Sequence, residues 1–207
     1  MARRSEHSQE EIKAMVLQAA QSIIDEEGPA ALKVRRVARE IGYTVGSIYM
    51  LYANMDDLIL HVKDKTLVEL ALQLDKAIAR PQAAEQSVLE LASVYVNFAG
   101  RQYNRWSMVF TRRLPGGGNL PEWYRQRENG IGARFEKAFS AIAPHRQDDD
   151  NSRAAQALWG GVHGNCLLSL SEKSDTEAIR DVELSVRLLV RNYIHGWLSR
   201  SEQAGYE

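Results

Sequence analysis

One short segment of the chain, TVGSIY, combines hydroxyl groups with small side chains. Thr44 can cap a helix that begins at the next residue, so that the free backbone N–H groups of the helix face an anion such as phosphate. Val45, Gly46 and Ser47 are small enough to enter a DNA major groove, where Ser47 can donate to a phosphate or a base edge. Val45 can touch a thymine methyl group. Tyr49 carries its hydroxyl on a rigid arm, which suits contact with phosphate.

Basic residues lie close to this segment. The region around it holds four basic residues against one acidic residue, although the formal net charge of the chain is −1. Specific phosphate contact needs a local positive patch and not a basic protein. Lys33, Arg35 and Arg36 are therefore candidate phosphate contacts. Arg3 and Arg4 form a second basic group that could reach a minor groove, although short basic starts are more often inert.

A second group of residues that could bind a ligand or a metal lies in ALWGGVHGNCLLSL, residues 157–170. Trp159, His163 and Cys166 are three or four positions apart and share one face of a helix. As metal ligands, His163 and Cys166 would lack a third and fourth partner at matching spacing, so we predict no metal site. In the alternative, His163 hydrogen-bonds to a ligand or to a neighbouring helix inside an apolar pocket.

Aromatic residues on the preceding helices could line the same pocket. Ordinary core packing is the alternative for each of them. A pocket of this composition would bind an apolar or amphipathic small molecule. The predicted ligand-binding residues are Trp106, Phe110, Trp123, Tyr124, Trp159, His163 and Cys166.

The last apolar segment, residues 176–200, predicts an interface with a second subunit. Two-sided apolarity on a surface helix indicates one face for the subunit core and one for a second subunit, with full burial in a monomer as the alternative. A second set of leucines, 184, 188 and 198, widens the apolar surface. The predicted dimer-interface residues, spaced by three and four, are Ile179, Val182, Val186, Leu189, Tyr193 and Trp197.

Helices must position all of these residues. Apolar residues recur every three or four positions without a period-2 strand pattern, which predicts an all-α fold. The five prolines fall between the apolar segments, as helix breakers do. Ser8 with Glu11, and Asn54 with Asp57, have capping sequences that indicate helix starts. The nine predicted helices span residues 8–27, 34–41, 45–52, 55–79, 82–100, 103–112, 120–143, 152–172 and 176–200.

Composition excludes several classes of protein. The 207 residues are 44% hydrophobic and 26% charged, which is ordinary for a soluble globular protein. The single cysteine cannot form an internal disulfide or hold a structural zinc alone. The start, MARRSEHSQEE, is no secretory signal, and no run approaches the roughly 18 apolar residues of a membrane span. We expect a cytoplasmic protein with no cofactor and no membrane contact.

Catalytic motifs are missing from the sequence. PGGG at 115–118 lacks the GKS or GKT of a phosphate-binding loop. There is no GxSxG elbow and no HExxH sequence. The acidic residues 148–150 follow a proline, where they favour a helix start over a cation site. We predict that the chain is not an enzyme.

Residues 32–59, LKVRRVAREIGYTVGSIYMLYANMDDLI, form two short helices separated by Gly42, a helix-turn-helix. This segment resembles the signature of the TetR family of bacterial transcriptional repressors. The resemblance covers roughly the first 60 residues and implies that the second short helix enters the DNA major groove. It is carried by Val37, Ala38, Gly42, Gly46, Ser47, Tyr49, Tyr52 and Leu58.

Three positions depart from the family pattern. The family usually has Thr or Ser where Lys33 stands, so the expected cap of the first short helix is lost. Leu51 stands where a histidine is common, and Met55 replaces a lysine that often reaches phosphate. Lys33, Arg35 and Arg36 can compensate for these losses.

The Trp, His and Gly pattern of residues 157–170 resembles the WHG-type C-terminal domain of some TetR-like regulators. The resemblance implies a DNA-binding domain, 1–54, an effector-binding and dimerisation domain, 55–207, and a two-fold dimer joined by a four-helix bundle. The implied function is a repressor that a small-molecule effector releases from a near-palindromic DNA operator. The alternative is a helix-turn-helix regulator that acts as an activator, or as a protein-binding adaptor, without a ligand.

Overall fold

The computed structural model describes residues 7–79, 81–111, 114, 116–117, 119–170 and 175–203, apart from the side chains of 148 and 200–203. Arg3 and Arg4 lie outside the described residues. Within the described part the chain forms nine α-helices, which confirms the all-α prediction. They are α1 (Gln9–Glu27), α2 (Val34–Glu40), α3 (Val45–Tyr49), α4 (Met55–Ile78), α5 (Ala84–Arg101), α6 (Tyr103–Val109), α7 (Glu122–Ser140), α8 (Asp148–Leu170) and α9 (Thr176–Gln203).

Most helix ends lie within three residues of the prediction; α3 ends at Tyr49 and α6 at Val109, each three residues earlier than predicted, and α9 runs three residues further. Two differences are larger. A short 3-10 helix, Pro29–Ala31, follows α1 and was not predicted; it begins after Gly28, whose φ of 83° suits glycine. Helix α8 begins at Asp148, four positions earlier than predicted. The acidic residues 148–150 occupy its first turn, where the helix dipole favours negative charge.

Internal contacts group the chain into two units. Unit 1 contains Met1–Thr66 and Asn104–Arg125, and unit 2 contains Leu67–Tyr103 and Gln126–Glu207. The division falls inside α4, and most of α6 groups with the N-terminal helices.

Unit 1 is built around α1. This helix starts with the predicted capping box, in which Ser8 and Glu11 each bond the other's backbone N–H. Its buried residues Val16, Ala20 and Ile24 recur every four positions and so share one face. Helix α2 packs on α1, and α3 packs on α2. The apolar face of α1 thus supports the two short helices.

Unit 2 has α5, α8 and α9 packed on one another. Glycines allow two of the close approaches: Gly100 lies against the side chain of Ile179, and a Cβ atom on Gly161 would lie 3.1 Å from Leu189 Cδ2. Polar side chains also join α5 to α9, since Arg187 Nη1 donates to Ser93 Oγ at 3.1 Å. One face of α9 is therefore committed to the core of its own unit.

Candidate functional site

The turn of the helix-turn-helix has the geometry that the sequence predicts. Helix α2 ends in a Schellman motif, in which the N–H of Tyr43 donates to Ala38 O at 2.9 Å and the N–H of Gly42 donates to Arg39 O at 3.3 Å. Gly42 has a φ of 73°, a conformation that L side chains adopt rarely. The turn residue therefore needs to be glycine for the chain to leave α2 and enter α3.

Thr44 caps α3 as predicted. Its Oγ1 accepts the backbone N–H of Ser47 at 3.1 Å, and the hydroxyl oxygens of the two residues lie 2.9 Å apart. The Ser47 hydroxyl is thus oriented before any ligand arrives.

The residues of α3, and Tyr52 three positions after its end, divide between surface and interior. Tyr49 is 43% exposed, whereas Ile48 and Tyr52 are buried. Burial raises the pKa of Tyr52 to about 12, and its hydroxyl donates to Lys13 O at 3.4 Å. Tyr52 is therefore a neutral anchor, while the phenol of Tyr49 faces outward. Of the remaining predicted contacts on α3, Gly46 is exposed, and Val45 and Ser47 are half-buried.

The three predicted basic contacts have different surroundings. Lys33 and Arg35 are exposed, and Lys33 precedes α2 without a side-chain cap, as its departure from the family pattern implies. Arg36 donates from both terminal nitrogens to the two carboxylate oxygens of Glu27 on α1. This contact raises the pKa of Arg36 and lowers the pKa of Glu27. Arg36 already holds a carboxylate partner within the chain.

The start of α4 has a reciprocal cap. Asn54 Oδ1 accepts the N–H of Asp57 at 2.9 Å, and Asp57 Oδ2 accepts the N–H of Ala53 at 2.9 Å. His61 lies one turn further on, with Nδ1 2.8 Å from Asp57 O and its ring edge-to-face with Tyr52. We call residues 34–57 the recognition segment. Sequence reasoning missed His61, because only the fold brings it against Tyr52 of that segment.

Four of the predicted ligand-binding residues lie in unit 1. Trp106 is buried and packs edge-to-face with Phe110. The hydroxyl of Tyr124 donates to Val109 O at 2.8 Å, and its ring lies under Lys63 Nζ at 5.0 Å. Trp123 is part-exposed. Each therefore has packing partners within unit 1.

The other three predicted ligand-binding residues lie in unit 2, where they meet a tyrosine that sequence reasoning missed. The hydroxyl of Tyr95 lies 2.7 Å from His163 Nδ1, and its ring packs edge-to-face with Phe135. The ring of Trp159 lies 6.1 Å from that of His163. Burial lowers the pKa of His163, and burial raises the pKa of the Cys166 thiol to about 12. We call Tyr95, Phe135, Trp159 and His163 the aromatic cluster.

Four of the six predicted dimer-interface residues are buried or make contacts inside unit 2. Val182 and Val186 are buried, and Ile179 and Leu189 lie against Gly100 and Gly161. The two remaining predicted residues, Tyr193 and Trp197, lie further along the same helix.

Tyr193 and Trp197 both pack against Phe139, and the guanidinium of Arg146 lies 3.9 Å from the centre of a Trp197 ring. The exposed apolar side chains lie elsewhere on α8 and α9. They are Leu167, Leu168, Leu184 and Leu188, of which Leu168 is 85% exposed.

Among the described residues, no group of three or more His, Cys, Asp and Glu side chains could hold a metal ion. Within the same part of the chain, no helix has both the length and the apolar character needed to cross a membrane.

Two family models match the chain. Residues 16–62 match the model of bacterial regulatory proteins of the tetR family, and residues 88–193 match a tetracyclin repressor-like C-terminal domain. The chain belongs to the TetR family. It is a DNA-binding transcriptional regulator, as predicted. The family is a class of regulators and not of enzymes, which confirms the second prediction, that the chain is not an enzyme.

Individual relatives agree with the family. An uncharacterized HTH-type transcriptional regulator of Mycobacterium tuberculosis is 26% identical over 168 residues, which cover 79% of this chain and 74% of that protein. A protein of unknown function from Rhodococcus sp. RHA1 has the same fold, with a TM-score of 0.74, 16% identity, and coverage of 95% of this chain and 98% of that one. BioQ, crystallised with its double-stranded DNA operator, has a TM-score of 0.61 and 22% identity, over 88% of this chain and 98% of its own.

Proposed function

We propose that this regulator is a homodimeric repressor that binds a near-palindromic operator and is released by a small-molecule effector. The observation that carries the proposal is the capped α3 with its outward-facing side chains. Residues 1–54 would read DNA, and residues 55–207 would bind the effector and a second subunit. Because its target is chromosomal DNA, a bacterial regulator of this kind works in the cytoplasm.

DNA reading divides between two groups of residues. Val45, Gly46 and Ser47 lie at the start of α3 and would meet base edges. Tyr49, Lys33 and Arg35 would contact phosphate. The DNA operator in the crystal of BioQ, a protein of the same fold, supports this use of the helix-turn-helix. In a dimer, two copies of α3 about 34–36 Å apart would read one face of the duplex.

The dimer would use the exposed leucines of α8 and α9. Leu184 is 58% exposed and Leu188 is 62% exposed, one turn apart on the same face of α9. Leu188→Glu should convert the dimer to a monomer in sedimentation velocity, because a carboxylate would be buried at the interface. Leu72→Glu, at another exposed leucine, is the matched control and should remain dimeric. A monomeric wild-type chain would contradict the dimer.

The effector site would include the aromatic cluster. Tyr95 and His163 are a neutral polar pair among aromatic rings, which suits an amphipathic molecule with one hydrogen-bonding group. An effector that binds the non-DNA state more tightly would shift the population away from DNA. Helix α4 carries residues of both units, so it would transmit the change.

Gel shifts on DNA upstream of the chain's own gene test the repressor. We expect a salt-sensitive shift, because phosphate contacts release counterions. Tyr49→Phe should weaken binding to all sequences alike, whereas substitutions at Val45 or Ser47 should change the preferred sequence. The same uniform loss from both kinds of variant would contradict this division of roles.

A thermal-shift screen of amphipathic small molecules tests the effector. A molecule that raises the melting temperature of the wild type and reverses the gel shift would support the proposal. His163→Phe should abolish both responses. A molecule that reverses the shift equally in wild type and variant would place the effector elsewhere. If this chain activated transcription in a reporter assay, that result would contradict the proposed repressor function.

A further inference from the structure

Helix α2 begins without a side-chain cap. Lys33 stands at the N-cap position with an extended backbone, and its side chain accepts no backbone N–H. Its carbonyl oxygen accepts two N–H groups, from Arg36 at 2.9 Å and from Val37 at 3.1 Å. The absence of a hydroxyl or carboxylate cap weakens the start of a helix, and α2 has only seven residues. A further attachment at this end would therefore stabilise α2.

An ion pair joins this uncapped start to the end of α1. Arg36 is the third residue of α2, and both of its terminal nitrogens donate to the carboxylate oxygens of Glu27, the last residue of α1. Most surface ion pairs contribute little, but a bidentate pair of guanidinium and carboxylate is an exception. Its two parallel hydrogen bonds fix orientation as well as distance. The pair can therefore restrain α2 relative to α1.

We propose that the Glu27–Arg36 pair replaces the missing cap of α2 and so positions the recognition helix α3 for DNA. Arg36 is then a positioning residue and not a phosphate contact, whereas the exposed Lys33 and Arg35 beside it remain available for phosphate. The inference rests on the proposed reading of DNA by α3. It adds Glu27, an acidic residue of α1, to the residues on which DNA binding depends.

The placement of α2 determines the placement of α3. Helix α3 packs on α2, and the turn between them is fixed by the N–H of Tyr43, which donates to Ala38 O at 2.9 Å. At this end of α2 the Tyr43 hydroxyl also lies 2.9 Å from Nδ1 of His7, which precedes α1. Polar contacts thus attach α2 at both ends. Loss of the pair at its start would let α2 tilt about the remaining contact and carry α3 with it.

The charge of Glu27 alone predicts the opposite effect on DNA binding. Glu27 is exposed, so its neutralisation would remove a negative charge close to the DNA-binding surface and release Arg36 for phosphate. Both changes should strengthen binding to a polyanion. If the carboxylate instead holds α2 in place, its neutralisation should weaken binding. The sign of the change therefore separates positioning from charge.

The first measurement is the DNA affinity of full-length Glu27→Gln. The probe is a duplex of about 40 base pairs, roughly four turns, that wild-type protein enriches from a randomised library. Glu27→Gln should bind it roughly fivefold more weakly, since one neutral amide cannot form the bidentate pair. Glu26→Gln, which neutralises the exposed residue beside it, is the matched control and should bind at least as tightly as wild type. Wild-type or tighter binding by Glu27→Gln would overturn the proposal.

The second measurement separates Arg36 from its neighbour Arg35. Arg35→Gln should weaken binding and make the slope of log affinity against log salt less steep by about 1 for each bound subunit, because a phosphate contact is lost. Arg36→Gln should weaken binding and leave the slope close to that of wild type. The same loss of slope in both variants would make Arg36 a phosphate contact and overturn its positioning role.

The third measurement restores the pair in reverse. Glu27→Arg and Arg36→Glu each place two like charges against one another, so each should weaken DNA binding roughly tenfold. The double variant has the net charge of wild type and can form the same bidentate pair, so it should recover to within about threefold of wild type. A double variant that binds no better than the weaker single variant would show that the pairing does not matter.

The fourth measurement follows α2 without DNA. Amide hydrogen exchange at Val37 and Ala38 should be severalfold faster in Glu27→Gln than in wild type, while the amides of α5 stay unchanged. Adding Lys33→Ser to that variant supplies a hydroxyl cap and should slow the exchange again. Unchanged exchange in Glu27→Gln, or no recovery with the serine, would overturn the replacement of the cap.

The DNA measurements distinguish failure of this inference from failure of the proposed function. If wild-type protein enriches no duplex, the proposed DNA reading fails and the positioning role fails with it. If wild-type protein enriches a duplex that Glu27→Gln binds equally well, the DNA reading stands and only the role of the pair is wrong.

Discussion

The recognition segment in unit 1 and the aromatic cluster in unit 2 are held together by different means. In the recognition segment, the bonds Thr44–Ser47 and Asn54–Asp57 join residues three positions apart. In the aromatic cluster, Tyr95 and His163 are 68 positions apart. The first arrangement follows from short-range backbone geometry, whereas the second exists only when α5 and α8 have packed.

Because of this difference, substitutions in the two regions should affect DNA affinity and folding stability to different degrees. The side chains proposed to read DNA are largely at the surface, so most substitutions among them should change affinity with little effect on folding. The aromatic cluster is largely buried, so substitutions there should affect folding and ligand binding together. Three predictions test this contrast, in order of decreasing effect on the free energy of unfolding.

The largest effect should come from unit 2. Gly100→Ala places a Cβ atom on the side chain of Ile179, and a β-branched residue on a helix has little freedom to move aside. Such overpacking costs about 1–3 kcal/mol, which exceeds the gain of up to about 1 kcal/mol from replacing a helical glycine by alanine. Urea unfolding should show the loss.

Matched variants make that test specific. Gly196→Ala changes a glycine of α9 whose Cβ position has no neighbour within 4 Å, so the free energy of unfolding should stay the same or rise. Ile179→Ala should make the second substitution, Gly100→Ala, less costly than it is alone. Additive losses in the double variant would mean that the two side chains do not meet.

A smaller effect is expected in unit 1. Thr44→Ala removes the acceptor for the Ser47 N–H and should lower the free energy of unfolding by about 1 kcal/mol. Thr44→Ser keeps the hydroxyl and should retain most of that stability. Thermal unfolding of the three proteins gives the comparison. Equal losses in both variants would assign the effect to the lost methyl group and not to the cap.

The smallest effect should be the pH dependence contributed by His163. Burial lowers the pKa of His163 from 6.5, so the unfolded chain takes up a proton at higher pH than the folded chain does. Stability from the neutral imidazole is therefore complete above about pH 6.5 and decreases as the pH falls below that value. His163→Gln does not titrate and can still bond Tyr95. The gap in urea midpoint between wild type and variant should change from pH 7.5 to 5.5, and a constant gap would contradict the prediction.

Sequence patterns predicted the parts of the fold that depend on near neighbours. Gly42 and Thr44 were assigned correctly because the turn and the cap involve residues within five positions. The acidic residues 148–150 were correctly expected to favour a helix start, but the predicted range of α8 began only at residue 152, because the polar residues before it leave no apolar period. Arg36 looked available for phosphate, since nothing in the sequence shows that Glu27 will bind it.

Long-range pairings set the limit of prediction from sequence. The contacts His7–Tyr43 and Tyr95–His163 join different helices or their ends and have no sequence signature. For α9, periodicity identified apolar residues on more than one side. It could not tell which side would meet α5, because leucine or valine is equally suitable for a core and for an interface.

The short lengths of α2 and α3 limit how the recognition segment can be transplanted. These helices have seven and five residues, whereas an isolated helix shorter than about 12–15 residues is marginal in water. Helix α2 also begins without a side-chain cap and depends on the buried face and Glu27 of α1. A peptide of residues 34–52 should therefore be unstructured. A graft that changes the operator preference of another protein would have to carry α1 as well.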